Sequence, residues 1–166
     1  MAILDVLVYP DTRLKRVSSS VKNFDDDLSK FIFDLEETMR AGPPSVGIAA
    51  PQVGRFERIV IIDVSSKPDI PNHGKLVLIN PKIVSKQGSV VGREGCLSVP
   101  DYTGNVMRAE ALTLQALNLV GKTVNYQMEG FEARAISHEI DHLDGVLFLD
   151  RLVSRRNSLF RRKVYK

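Results

Sequence analysis

The chain has 166 residues, 43% apolar and 26% charged, enough for one domain with a substantial core and ordinary for a soluble globular protein. No apolar run approaches a membrane span, which excludes a transmembrane helix. The opening MAILDVLVYPD is short, is broken by Asp5 and has no preceding basic residue, so it does not read as a secretory signal and a cytoplasmic location is expected.

The net charge of +3 conceals a division. Residues 151–166 hold seven Lys/Arg and no acid, leaving the other 150 residues at −4. Such a basic tail is either a solvated surface or a contact for an anionic partner such as RNA.

In chain order, the first helix is expected over Asp25–Ala41. Leu28, Phe31, Ile32, Leu35 and Met39 recur at helical spacing, acids crowd its start, and Gly42 with Pro43 and Pro44 ends it. An unusually apolar loop, PPSVGIAAPQVG, follows. Strands are expected at Arg58–Val64, Leu76–Asn80, Ile83–Lys86, Ala111–Leu119 and Thr123–Met128, with a polar tip (SSKPDIPNHG) between the first two. Gly92 and Pro100 mark the chain between them as irregular. A second helix is expected over Phe131–Leu143, closed by Gly145. It carries an apolar stripe of Ile136, Ile140 and Leu143, and a second stripe of Phe131, Ala135, His138 and His142. The meander of strands points to antiparallel pairing rather than βαβ units. The expected fold is therefore α+β, with small antiparallel or mixed sheets around a central metal-binding helix. One catalytic domain would span 1–166, and a basic C-terminal helix would begin near Ser154.

His138-Glu139-Ile140-Asp141-His142 is an HExxH motif on that second helix. Imidazoles four residues apart lie one turn apart on a single face and can share a metal, while Glu139 can serve as the proton acceptor for an attacking water. Because the histidines continue the stripe begun by Phe131 and Ala135, they should face inward.

A catalytic site needs a third protein ligand. No Glu or His follows His142, and Phe148 occupies the position where an extended motif would carry a third histidine. The missing ligand should lie upstream. His73 sits in a polar loop and reads as exposed. Cys96, the single cysteine, lies in the segment REGCLSVP beside Gly95 and is the better candidate, since a thiolate is a strong, soft ligand. A nucleophilic Cys/His pair is the competing reading, and it leaves Glu139 and the second histidine without roles. These ligand types would suit zinc, cobalt or iron alike.

Three segments together resemble the peptide deformylase family: Ser45–Gln52 (SVGIAAPQ), Glu94–Ser98 (EGCLS) and His138–His142 (HEIDH), in the family's order and spacing. The resemblance implies removal of the formyl group from the N-terminal formyl-methionine of new polypeptides. It implies Cys96, His138 and His142 as ligands to one divalent metal, with Fe2+ expected and Zn2+, Ni2+ or Co2+ also accommodated. Glu139 would be the general acid/base, and the Gln52 amide with the Leu97 N–H would bind the developing oxyanion. Gly47 would offer backbone to the bound peptide, and Val46, Phe131 and Ala135 would line the methionine pocket. Formyl-methionyl nascent peptides are the implied partners, and the basic tail suggests the ribosome. Every candidate lies upstream of Ser154, so removing the tail is expected to spare the chemistry. Ser45 departs from the family, which usually has Gly there; the added Cβ should restrict the loop. Arg134, one turn before His138, reads as a surface residue.

Overall fold

A computed structural model of the protein describes residues 2–67 and 69–162. The first helix, α1 (Asp26–Ala41), begins where the Asp25 carboxylate accepts from the Leu28 N–H at 3.0 Å, with Asp26 and Asp27 completing an acidic first turn at the positive end of the helix dipole. Its buried stripe of Leu28, Ile32, Leu35 and Met39 is the one the spacing predicts.

Eight strands follow among the described residues: β1 (Gly47–Ala49), β2 (Ile59–Asp63), β3 (Lys75–Gln87), β4 (Val90–Cys96), β5 (Val99–Arg108), β6 (Ala111–Leu117), β7 (Thr123–Glu129) and β8 (Leu159–Arg161). The second helix, α2 (Gly130–Leu143), falls between the last two strands. One sheet runs β1-β2-β3-β6-β7 and the other β4-β5-β8. Every ladder is antiparallel, so the α+β expectation holds.

The five-stranded sheet is covered on both faces. Val60 and Ile62 point to α2, where they meet Ile136, Ile140 and Leu143. Ile59 and Ile61 point to α1 and pack with Ile32, Leu35 and Met39. A strand buried on both sides reads as an unbroken apolar run, which is how Ile59–Ile62 appears. Each such side chain contributes about 1.5–3 kcal/mol through burial.

Three expectations are corrected. Leu76–Asn80 and Ile83–Lys86 belong to one strand, β3, whose register against β6 shifts near Asn80 and Pro81. Asn80 adopts φ 50° and its side chain bonds both the N–H and the C=O of Val21, so an irregularity stands where the pattern breaks. The segment around Gly92 and Pro100 is not irregular chain but two strands, β4 and β5. Its glycines make room for arginines: a Cβ on Gly92 would lie 2.8 Å from the Arg134 guanidinium carbon.

The third correction concerns the tail. The helix expected from Ser154 is absent among the described residues: a turn leads into β8, which pairs with β5 from Tyr102↔Arg161 to Gly104↔Leu159. The remainder, 163–166, lies outside the described residues. The edge of β5 supplies ladder hydrogen bonds that a short charged helix would forgo, and Phe160 takes the Arg93 guanidinium on its ring face at 3.8 Å. Ser158 is buried and its carbonyl accepts from Asn105. The tail is thus part of the sheet that carries Cys96, and truncation at Ser154 would strip it.

Candidate active site

α2 is unusual in burying both its apolar and its polar residues, from Glu132 to Leu143. It lies between the two sheets, so no face is left for solvent. Its polar side chains must therefore find partners inside the protein.

Cys96 ends β4 and faces the helix. Its Sγ lies 3.2 Å from His142 Nε2, and the donor atoms of Cys96, His138 and His142 all fall within 4.8 Å of one another. The two imidazoles are 5.0 Å apart at their centroids and inclined by 68°, so they converge on a point rather than stack. All three residues are buried. His73, the alternative upstream ligand, is remote from them: it is exposed, and its Nδ1 lies 2.6 Å from the Glu132 carboxylate.

A charged cluster fixes this arrangement. Glu94 receives two hydrogen bonds from Arg108 (Nε and Nη2, both 2.9 Å) and one from Arg134 (2.7 Å), and lies 2.9 Å from His138 Nδ1. With a proton on Nδ1 directed at Glu94, His138 presents Nε2 to the ligand cluster. Arg108 also reaches Asp141 at 2.6 Å, and Arg151 closes on the same carboxylate. Burial alone would push the Glu94 pKa up, but the Arg108 bonds and His138 outweigh it and hold the carboxyl well below its usual range. The same cluster raises Arg108 against the opposing effect of burial.

Burial would also push the Cys96 thiol up, yet His142 and His138 bring it well below its ordinary value. His138 is held well above its ordinary value, since Glu139, Cys96 and Glu94 together overcome desolvation. A thiolate beside an imidazole that retains a proton is the donor set a cation would displace that proton to enter. Glu139 differs: desolvation pushes it up to about 7, a range suited to proton exchange near neutrality. Its Oε1 is buried without a hydrogen-bond partner among the described residues. That orphaned oxygen beside three convergent soft and borderline donors fits a metal with an attached water.

The remaining candidates line one cleft of about 670 Å³, which also borders Cys96, His138 and Glu139. Gln52 stands in a 3-10 turn after β1; its Oε1 accepts from the Ala49 N–H at 2.9 Å. That bond turns its Nε2 toward Ser98 Oγ (3.1 Å) and Cys96 Sγ (3.5 Å). Leu97 follows Cys96 at the turn into β5. Val46, Phe131 and Ala135 form an apolar wall. Gly47 is needed for contact: a Cβ there would lie 2.7 Å from Glu139 Oε2. Because Val46 accepts from the Asp63 N–H, the alternation of the ladder turns the Gly47 N–H and C=O away from β2, toward the open edge. The Ser45 hydroxyl takes up that edge, donating to the Gly47 carbonyl at 2.9 Å.

Sequence reasoning missed Glu94, Arg108, Arg134 and Asp141 as a unit. Glu94 and Asp141 lie inside quoted motifs, and Arg134 stands four residues before His138 on the ligand face, a usable signal. It is buried, not a surface residue. Arg108 carries no local sign. Phe148, which stands where an extended motif would carry a third histidine, stacks on His138 with centroids 6.3 Å apart and planes inclined by 24°.

Fold and site define a metal-dependent hydrolase in which Cys96, His138 and His142 could hold the metal beside the Glu139 carboxylate. The family model for polypeptide deformylase matches residues 3–158, and the chain belongs to that family. It is 44% identical over 163 residues to the peptide deformylase of Syntrophobacter fumaroxidans, covering 98% of this chain and 94% of that one. A crystal structure of a peptide deformylase from Legionella pneumophila superposes with TM-score 0.85 at 39% identity, over 93% of this chain and 89% of the other. The Acinetobacter baumannii peptide deformylase with Met-Ala-Ser bound gives TM-score 0.82 at 36% identity, over 91% and 99%.

Proposed function

We propose that Cys96, His138 and His142 hold one divalent metal ion and that Glu139 manages the proton in removal of the formyl group from formyl-methionyl polypeptides, within a single catalytic unit. The observation that carries this reading is the buried, unpartnered Glu139 Oε1 beside the three converging donors. A bound cation would supply Lewis acidity, activating a water and polarising the formyl carbonyl. Glu139 accepts the proton of the attacking water and delivers it to the departing amine, so formate and a free N-terminus are the products. The Gln52 Nε2 and the Leu97 N–H stabilise the oxyanion, a contribution of several kcal/mol when such a donor is pre-positioned. The polypeptide lies along the open edge of β1, displacing the Ser45 hydroxyl from Gly47, and the methionine side chain enters between Val46, Phe131 and Ala135.

The metal we assign is Fe2+, with Zn2+, Ni2+ and Co2+ as substitutes, and the compartment is the cytoplasm. Among the described residues no helix is long and apolar enough to cross a membrane. The ribosome reading for the tail draws support from Arg155, Arg156 and Arg161, which are exposed and belong to none of the ion pairs among the described residues. Lower ribosome co-sedimentation in the triple glutamine variant at low salt supports it; unchanged sedimentation removes it. The central test is anaerobic purification, metal analysis and assay on formyl-Met-Ala-Ser. One equivalent of metal with release of formate is expected. A metal-replete protein inert toward formyl peptides would overturn the reading.

A further inference from the structure

The cleft is lined by Arg40, Lys67, Arg93, Arg134 and Arg162, while its acids among the described residues are Glu94 and Glu139, both buried. The cations are not equivalent. Arg40 is paired with Glu36 and Asp63, and Arg134 with Glu94. Arg93 is held by neutral partners alone, Asn105 and Thr103, against the Phe160 ring. Arg162 stands apart from all of these. It extends from the end of β8, anchored where its N–H donates to the Asp101 carbonyl at 2.8 Å. Its guanidinium lies so close over Gly95 that a Cβ there would collide with it. Its Nε is buried without a hydrogen-bond partner among the described residues.

An arginine whose Nε is out of solvent and unbonded is under-satisfied, and a carboxylate in the cleft would meet the part of its guanidinium that borders that cleft. This one sits above the backbone of the residue next to Cys96, and Gly47, Gly95 and Arg162 all border the same cleft. A peptide running between Gly47 and Gly95 must pass it. The family match ends at residue 158, before β8 begins, so Arg162 lies outside the matched segment.

We propose that Arg162, assisted by Arg93, receives a side-chain carboxylate carried by the peptide at the second or third residue, and so biases this enzyme toward formyl-methionyl chains with an early Asp or Glu. The proposal rests on the deformylase reading above and adds a specificity determinant to it. A side chain is favoured over a terminal carboxylate because a nascent chain offers no free terminus nearby.

The test compares C-terminally amidated formyl-Met-Glu-Ala and formyl-Met-Ala-Glu with their Gln counterparts, using metal-loaded full-length enzyme. The readout is the Glu/Gln ratio of kcat/KM, so any loss of fold or metal affects both peptides alike. One position should show a ratio of about fivefold, between the worth of an exposed ion pair and that of a charge-assisted bond. The ratio should fall to about one in Arg162→Gln and be partly retained in Arg162→Lys. In wild type it should also collapse as salt approaches 1 M, where screening acts within roughly 3 Å, so a variant that fails to fold does not decide the matter. Hydrolysis of all four peptides with wild-type ratios near one overturns the proposal alone. A ratio that survives Arg162→Gln overturns it too, and failure to hydrolyse any of them overturns the deformylase reading with it.

Discussion

The two sheets around α2 are built by different physics. The five-stranded sheet is joined to both helices by hydrocarbon: Ile59–Ile62, Leu78, Leu114 and Ile136 are sealed from water and need no specific partner. The three-stranded sheet meets α2 through charge, with Glu94 and Asp141 bound by Arg108, Arg134 and Arg151. Apolar contacts tolerate small rearrangements, whereas a buried ion pair is costly unless its geometry is kept. The first region therefore provides stability, and the second spends desolvation energy to hold Cys96 and His138 in a defined orientation. The three candidate ligands sit on the charged side of that boundary.

The comparison can be tested from either side. The largest effect belongs to Glu139, which contributes to neither sheet: Glu139→Gln should lower hydrolysis by at least roughly 10²-fold with metal content near stoichiometric. Steady-state kinetics beside metal analysis would check this, and near-normal turnover would remove Glu139 as the base.

Glu94→Gln should be the most damaging change to the charged side, destabilising by about 3–5 kcal/mol because Arg134 loses its buried counter-ion and Arg108 keeps only Asp141. Metal affinity should fall as well, by roughly 10–100-fold, since His138 loses its orienting partner. The pH dependence has a definite sign. A carboxyl held well below its ordinary value of 4.5 contributes stability fully present above that value, and the contribution is lost as acidification approaches the folded-state value. Denaturant titrations between pH 7 and 3 should show wild type losing its margin over the variant. A margin independent of pH would mean that Glu94 acts through packing alone.

On the apolar side, Ile61→Ala should cost a comparable 2–5 kcal/mol. The metal bound per folded molecule should not change. If Ile61→Ala weakened the metal as much as Glu94→Gln, the division between the regions would fail.

Two smaller effects locate the substrate. Ala135→Phe should fill the apolar wall of the cleft and lower kcat/KM for formyl-Met peptides by roughly tenfold, in line with pocket discrimination of 1–3 kcal/mol. Formyl-Gly peptides should lose less. Equal losses would show that Ala135 shapes the helix instead. Ser45→Gly should be the mildest: it releases the Gly47 edge from an internal hydrogen bond and should lower KM by about twofold, the scale of a partly exposed bond. A raised KM would mean that Ser45 organises the loop for the peptide.

Much was legible in the residues alone. The stripe of α1, the unbroken apolar run of β2 and the alternation of β6 are local patterns, set by helical and pleated periodicity against a nearby core. HExxH is local too, because one helical turn brings its histidines together, and Cys96 was reachable by asking what third donor the chain retains. Tertiary structure decided the rest. Arg108 lies 30 residues before His138, and only the crossing of β5 over α2 brings it to Glu94 and Asp141. The segment between Gly92 and Pro100 reads as irregular chain in isolation, yet it is strand, and its glycines leave the volume that Arg134 and Arg162 take up. The tail reads as a basic helix by composition, but the open edge of β5 offers its backbone ladder partners, and that pairing delivers Arg162 to the cleft. Periodicity records which side chains avoid water; which charges meet, and which backbone edge is left to be paired, depends on how distant segments are packed.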